Sequence, residues 1–281
     1  MTDNKRLENT QAKSRDETYA KKYTSKIWLE EPDPNNPYIA KNAFLSGYDF
    51  FELVESSSLS NILFLLIRGD LPNSADSAFF DYISKILMNP GPRHPAAKAA
   101  IHATVGKTDI THLLPIALSV MGGQENAAGI VPAAMKFVIR NYKREPSVIA
   151  NSIQNCNNAH GDHLWSQQLP GYGQIYGSAD TFARNCLQRI VDKFPTRNLA
   201  AWSAKFSDEL ATDNAGILMP GVAAVCFAEL GFAAKQGGAL FQLICAPGLL
   251  AHGLEYLGKP TTAAPFVSDE DYFIKGVAKD D

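Results

Sequence analysis

The sequence is short of the features that mark several protein classes. Its four cysteines, Cys156, Cys186, Cys226 and Cys245, are far apart and form no CxxC pair, which argues against a zinc ribbon or a disulfide scaffold. It lacks a charge excess of either sign: 26 lysines and arginines stand against 29 acids, for a net charge of −3. A dedicated nucleic-acid binder would show a basic surplus, so no nucleic-acid partner is expected. Charge-free apolar runs fall short of the roughly 20 residues that a membrane span needs, so no membrane partner is expected. Residues 1–22 are polar and mixed in charge, unlike a signal peptide. What remains is 46% hydrophobic and 20% charged residues over 281 positions, enough to bury one large core or two ordinary ones. The expectation is a soluble, cytoplasmic protein.

Along the chain, residues 1–22 read as a flexible arm. Residues 26–30 form a short strand, ended by the proline-rich turn 31–37, and 38–40 can pair back as a hairpin. Helical spacing then dominates: 48–54, 60–67, 74–87, 96–105, 111–121 and 127–140. The stretch 145–208 is richer in asparagine, with a loop at 169–180 and a helix over 181–193. Two strongly apolar segments, 217–232 and 239–257, are rich in glycine and alanine and suit close helix packing. Strands are scarce, so the fold class is all-α.

Five segments, in order, resemble the citrate synthase superfamily, which includes citryl-CoA lyases. Gly47-Tyr48-Asp49 with Leu53, followed by 63–72 (LFLLIRGDLP), is similar to the family's "GY…eL…YLLl-G-LP" segment. Gly122-Gly123-Gln124-Glu125-Asn126 stands where the family has "GP-x-HGGA". Leu169-Pro170-Gly171-Tyr172-Gly173-Gln174, with Tyr176 and Asp180, resembles "PGYGH…DPRA". Ala211-Thr212-Asp213 matches the "NVD" region, and Ala251-His252-Gly253-Leu254-Glu255 resembles "AHW-x-E". The resemblance implies a citrate synthase-like fold, with a large helical domain (23–140 and 210–281) and a small CoA-side domain (141–209). It also implies a homodimer and making or cleaving a C–C bond next to a coenzyme A thioester, with no metal.

Such chemistry needs a base for a weakly acidic carbon, a donor for the enolate oxygen and a donor that polarises a carbonyl. The resemblance assigns Asp213 the proton transfer, for which burial would have to raise its pKa. Asp213 also reads as a helix cap. Glu125 stands at the first histidine position, where an ionised carboxylate accepts but cannot donate. Gln174 stands at the second, and its amide can still polarise a carbonyl. Phe182 and Cys245 stand near the positions of two substrate-binding arginines. Losing them points to a substrate less anionic than oxaloacetate, since bidentate arginine–carboxylate contacts are strong. Pro170, Gly171, Tyr172, Gly173 and Ile175 form the expected CoA-binding loop, whose glycines permit close approach of a ligand.

Other polar residues read more than one way. His160 and His163 suit one helix face but lack a third metal ligand, and surface histidines are the plainer reading. A shift of alignment register would bring one of them to a family histidine position. His252 reads as a hydrogen-bonded core histidine, and Cys226 and Cys245 as packing thiols. Arg93-His94, between prolines, reads as a cleft wall or a rigid turn. Two functions follow: an acyl-CoA lyase or acyltransferase, or an inactive paralogue serving as a regulatory subunit or CoA-ester sensor.

Overall fold

The structure, a computed structural model, describes residues 19–157 and 169–272, without the side chains of 153–157, Thr212 and Asp213. His160, His163 and most of the expected arm lie outside the described residues. The chain divides into two compact units at Ser57/Ser58.

The first unit is a three-stranded antiparallel sheet and a short helix. Strands β1 (Trp28–Pro32), β2 (Ala40–Leu45) and β3 (Tyr48–Asp49) pair in sequence order, with Trp28 opposite Leu45. The register shifts between Glu31 and Pro32, as expected where proline removes a ladder donor. In the turn, Asp33 Oδ1 accepts from the backbone N–H groups of Asn35 (2.7 Å) and Asn36 (3.2 Å). The hairpin therefore pairs two residues later in each strand than the sequence predicts. The helix expected from Tyr48 starts at Phe50 (α1, Phe50–Ser56), because Tyr48 and Asp49 pair with β2. Asp49 caps α1, accepting from Phe51 and Glu52 N–H at 3.0 and 3.1 Å.

The second unit is helical. Helices α2 (Leu59–Arg68), α3 (Ser74–Leu87), α4 (Pro95–Val105), α5 (Leu113–Met121), α6 (Val131–Asn141) and α7 (Pro146–Asn157) precede the undescribed stretch. Helices α8 (Thr181–Lys193), α9 (Asn198–Glu209), α10 (Met219–Glu229) and α11 (Ala234–Leu254) follow it. A two-stranded sheet pairs β4 (Tyr172–Gly173) with β5 (Gly216–Ile217). Side-chain caps set the start of α3 and α8. Asn73 accepts from Asp76 N–H at 2.9 Å, and Asp180 from Ala183 N–H at 3.0 Å.

Helix α11 runs through the core against α4, α5 and α6. It is long and apolar enough to cross a membrane by length and composition, and it is the one such helix among the described residues. Its Pro247 lacks an N–H, and the next N–H, of Gly248, leaves the helix to donate to Met88 O at 3.1 Å. Cys245 Sγ donates to Leu87 O at 3.2 Å. The last carbonyls of α3 are thus satisfied by α11. A Cβ at Gly248 would meet Asn89 Cα at 2.7 Å, so only glycine admits this approach.

Candidate functional site

A cavity of about 230 Å³ opens beside this junction. The end of α3 and the loop after it contribute Leu87, Asn89, Arg93 and His94. The turns before α6 and α8 contribute Asn126, Ile175, Tyr176 and Asp180, and α8 itself adds Phe182. Met121, Met219, Phe241 and Cys245 make an apolar wall. Segments far apart in sequence therefore meet at one place, and two of them, 122–126 and 169–180, carry the family resemblance.

His94 is 8% exposed and is held at both ring nitrogens. Its Nδ1 accepts from Ala96 N–H at 3.1 Å, capping α4. Nδ1 therefore carries no proton, and Nε2–H donates to Asn126 O at 3.0 Å. Burial lowers the imidazole's pKa, outweighing the Asn126 carbonyl that raises it. His94 is a neutral wall residue with both nitrogens engaged, and the loop between prolines lines a cleft.

Asn126 has φ of +48°, and its buried Oδ1 has no hydrogen-bond partner. Tyr176 has φ of +51° and is 82% exposed. Two of the left-handed non-glycine residues therefore line one cavity, and such strain gathers at ligand sites. Asn89 Oδ1 accepts from Gly91 N–H (2.9 Å) and from His252 Nε2–H (3.0 Å). His252 thereby fixes the amide of a cavity residue. The Cys245 thiol is pushed up to about 12 by burial and stays protonated as a donor to Leu87 O.

The other candidates are not among the residues that line this cavity. Glu125 and Gln174 are exposed and do not line it, but their neighbours Asn126 and Ile175 do. Asp213 ends the 3₁₀ turn Leu210–Asp213, three residues before β5, and its side chain is outside the described set. Pro170, Gly171, Tyr172 and Gly173 are buried. What Gly171 approaches is protein: at φ of +84°, its added Cβ would lie 2.8 Å from Gly221 Cα and 2.9 Å from Ala134 Cβ. Leu218 N–H donates to Gly171 O at 3.0 Å, tying the loop to the start of α10. Tyr172 packs edge-on to Phe206 at 4.9 Å, and burial pushes its hydroxyl pKa up. Among the described residues no histidine, cysteine and carboxylate cluster suited to a metal occurs.

The residues that sequence reasoning missed are Asn89, Asn126, Met121, Met219 and Phe241. Asn126 carried one signal, an asparagine in a glycine turn, the residue type that tolerates positive φ. Asn89 and Phe241 are placed by the docking of α3 on α11, and Met121 and Met219 by the packing of α5 and α10, which no local pattern encodes.

No protein-family model matches the chain, and no curated protein sequence matches it. Solved structures do. Citryl-CoA lyase from Hydrogenobacter thermophilus is 19% identical with a TM-score of 0.71, covering 92% of this chain and 96% of its own. ATP citrate lyase from Methanothrix soehngenii, solved with citrate and coenzyme A, is 16% identical with a TM-score of 0.65. That match covers 92% of this chain and 44% of the lyase, so this chain spans under half of it. Citrate synthase from Thermotoga maritima is 15% identical with a TM-score of 0.52, covering 92% and 94%. At these identities the likeness speaks for the fold: the chain has the mostly helical fold of the citrate synthase and citryl-CoA lyase superfamily.

Proposed function

We propose that the protein makes or cleaves a C–C bond next to a coenzyme A thioester, as a citrate synthase-like or citryl-CoA lyase-like enzyme. The observation that carries this reading is the convergence of Asn126, Ile175, Phe182 and Cys245 on one cavity. These residues lie in or beside segments that resemble the family, and they are separated by up to half the chain. The fold supports it, since the structure of ATP citrate lyase from Methanothrix soehngenii holds citrate and coenzyme A. In this reading Asp213 transfers the proton, Gln174 orients a carbonyl, and Glu125 is a second acid or base. Pro170, Gly171, Tyr172, Gly173 and Ile175 position the CoA, Gly171 and Tyr172 by shaping the loop backbone. Residues 141–209 would be the closing small domain of a cytoplasmic homodimer.

A second reading, an inactive paralogue, is favoured by one observation: the histidine in the cavity wall has both nitrogens engaged. Two measurements separate the readings. Binding of CoA or acetyl-CoA to the native state raises the melting temperature. No rise at millimolar ligand would sink the enzyme. Deuterium exchange from solvent into the acetyl-CoA methyl group is then expected, and it should be lost in Asp213→Asn. Binding without exchange leaves the paralogue as a CoA-ester sensor.

A further inference from the structure

We infer that the carbonyl compound accepted by the cavity is an aliphatic 2-oxo monocarboxylate rather than a dicarboxylate. The inference rests on the thioester reading and names the second substrate of that site. Charge is the first argument. Among the described residues that line the cavity, only Arg93 and Asp180 carry formal charge. Asp180 is committed to the N-terminus of α8, accepting from Ala183 N–H at 3.0 Å. Arg93 is exposed and makes no ion pair among the described residues. His94 adds no charge, because its Nδ1 accepts a backbone N–H and so carries no proton. The cavity can therefore compensate one carboxylate. A second, drawn deeper, would lie against the buried Cys245 or Leu87, and desolvating an unpaired carboxylate is strongly unfavourable.

The polar groups fit the rest of such a ligand. Asn89 Oδ1 is taken by Gly91 and His252, which leaves the amide NH₂ as the donor for a keto oxygen. The wall of Leu87, Met121 and Phe241 takes the aliphatic body.

The test compares 4-methyl-2-oxopentanoate with oxaloacetate, which has the same number of non-hydrogen atoms. Calorimetric titration of the full chain, with and without millimolar CoA, should show the monocarboxylate binding at least about tenfold more tightly. Arg93→Ala should weaken it at least about tenfold. Phe182→Arg, at a residue 67% exposed, should raise affinity for oxaloacetate by adding the second cation. Equal or tighter binding of oxaloacetate to the unaltered protein overturns the inference. So does the absence of binding by either compound, or an affinity unchanged in Arg93→Ala. CoA binding with neither carbonyl compound bound overturns this inference alone. Binding of the monocarboxylate with no binding of CoA or acetyl-CoA overturns the thioester reading and leaves the cavity's preference standing.

Discussion

His94 carries two structural loads at the cavity wall, and removing it should be measurable. In His94→Ala, helix α4 loses its side-chain cap, the acceptor for Ala96 N–H. Loss of such a cap costs about 0.5–2 kcal/mol. The bond from Nε2–H to Asn126 O is lost as well, worth about 1 kcal/mol. The sum is roughly 1.5–3 kcal/mol, since each partner left behind is backbone in a mostly buried site. For a unit of this size that is a fall in Tm of about 3–12 °C. The pH dependence carries a sign of its own. Burial lowers the folded-state pKa below the ordinary value of 6.5, so the unfolded chain binds the proton more tightly. His94 therefore contributes fully above pH 6.5, and that contribution is lost as pH falls through 6.5 toward the lower folded value. His94→Asn keeps a capping side chain but does not titrate. Urea denaturation at pH 7.5, 6.5 and 5.5 should show a smaller decline for His94→Asn than for the unaltered chain. A His94→Ala cost below about 0.5 kcal/mol, or an identical pH slope in His94→Asn, would refute the account of His94 as a neutral, doubly bonded cap.

Gly171→Ala should cost more than about 2 kcal/mol in urea denaturation, because positive φ and contact with Gly221 and Ala134 act together. Gly177→Ala, at φ of +76° with open space around it, should cost only about 1 kcal/mol. Glu229 accepts from Leu199 N–H at the start of α9, where Arg197 offers no side-chain cap, so Glu229→Ala should destabilise by about 1–3 kcal/mol. Burial raises the Glu229 pKa above 4.5, so its ionisation makes stability fall as pH rises past that value, and Glu229→Gln should flatten this dependence. Cys245, its thiol pushed up to about 12, should resist iodoacetamide in the folded protein at pH 8, and should react once guanidinium unfolds the chain, as followed by mass spectrometry.

Local pattern was a sound guide wherever a helix carries its own boundary signals. Helices α3 and α8 run over the expected residues because Asn73 and Asp180 cap them and their apolar positions recur at helical spacing. The expected start of α11 at 239 was five residues late. The helix begins at Ala234 and runs through Gly237 and Gly238, and at its start the Gln236 side chain accepts from Ala233 N–H at 2.8 Å. Tertiary packing overrides propensity there, since a Cβ at Gly237 would meet Val131 at 3.0 Å. Helices α7 and α9 went unassigned, because their polar residues mask the positions that face the core, such as Trp202 and Phe206. The motif order pointed to the right fold and to the neighbourhood of the cavity. It did not distinguish a lining residue from its neighbour. Asn126 rather than Glu125, and Ile175 rather than Gln174, face the cavity, and a one-residue difference in a turn is decided by backbone dihedrals that composition does not reveal.

Two residues that serve stability little line the cavity. Asn126 holds a left-handed backbone without being glycine, and its carboxamide oxygen is buried without a partner. Tyr176 holds the same kind of backbone and exposes its ring at the mouth. Each is a local cost that the rest of the second unit must offset, and a chain under no functional demand would lose little by relaxing them. By contrast, the Gly171–Gly221 approach and the Cys245–Leu87 bond are explained by packing. Sorting the residues this way moves the functional weight from the glycine loop, where the motif pointed, to the asparagines opposite it. It also gives the absent histidines a physical counterpart. With both nitrogens of the buried imidazole engaged, the carboxamides of the wall are left to orient and polarise a carbonyl, and in the thioester reading the proton falls to Asp213, whose side chain lies outside the described residues.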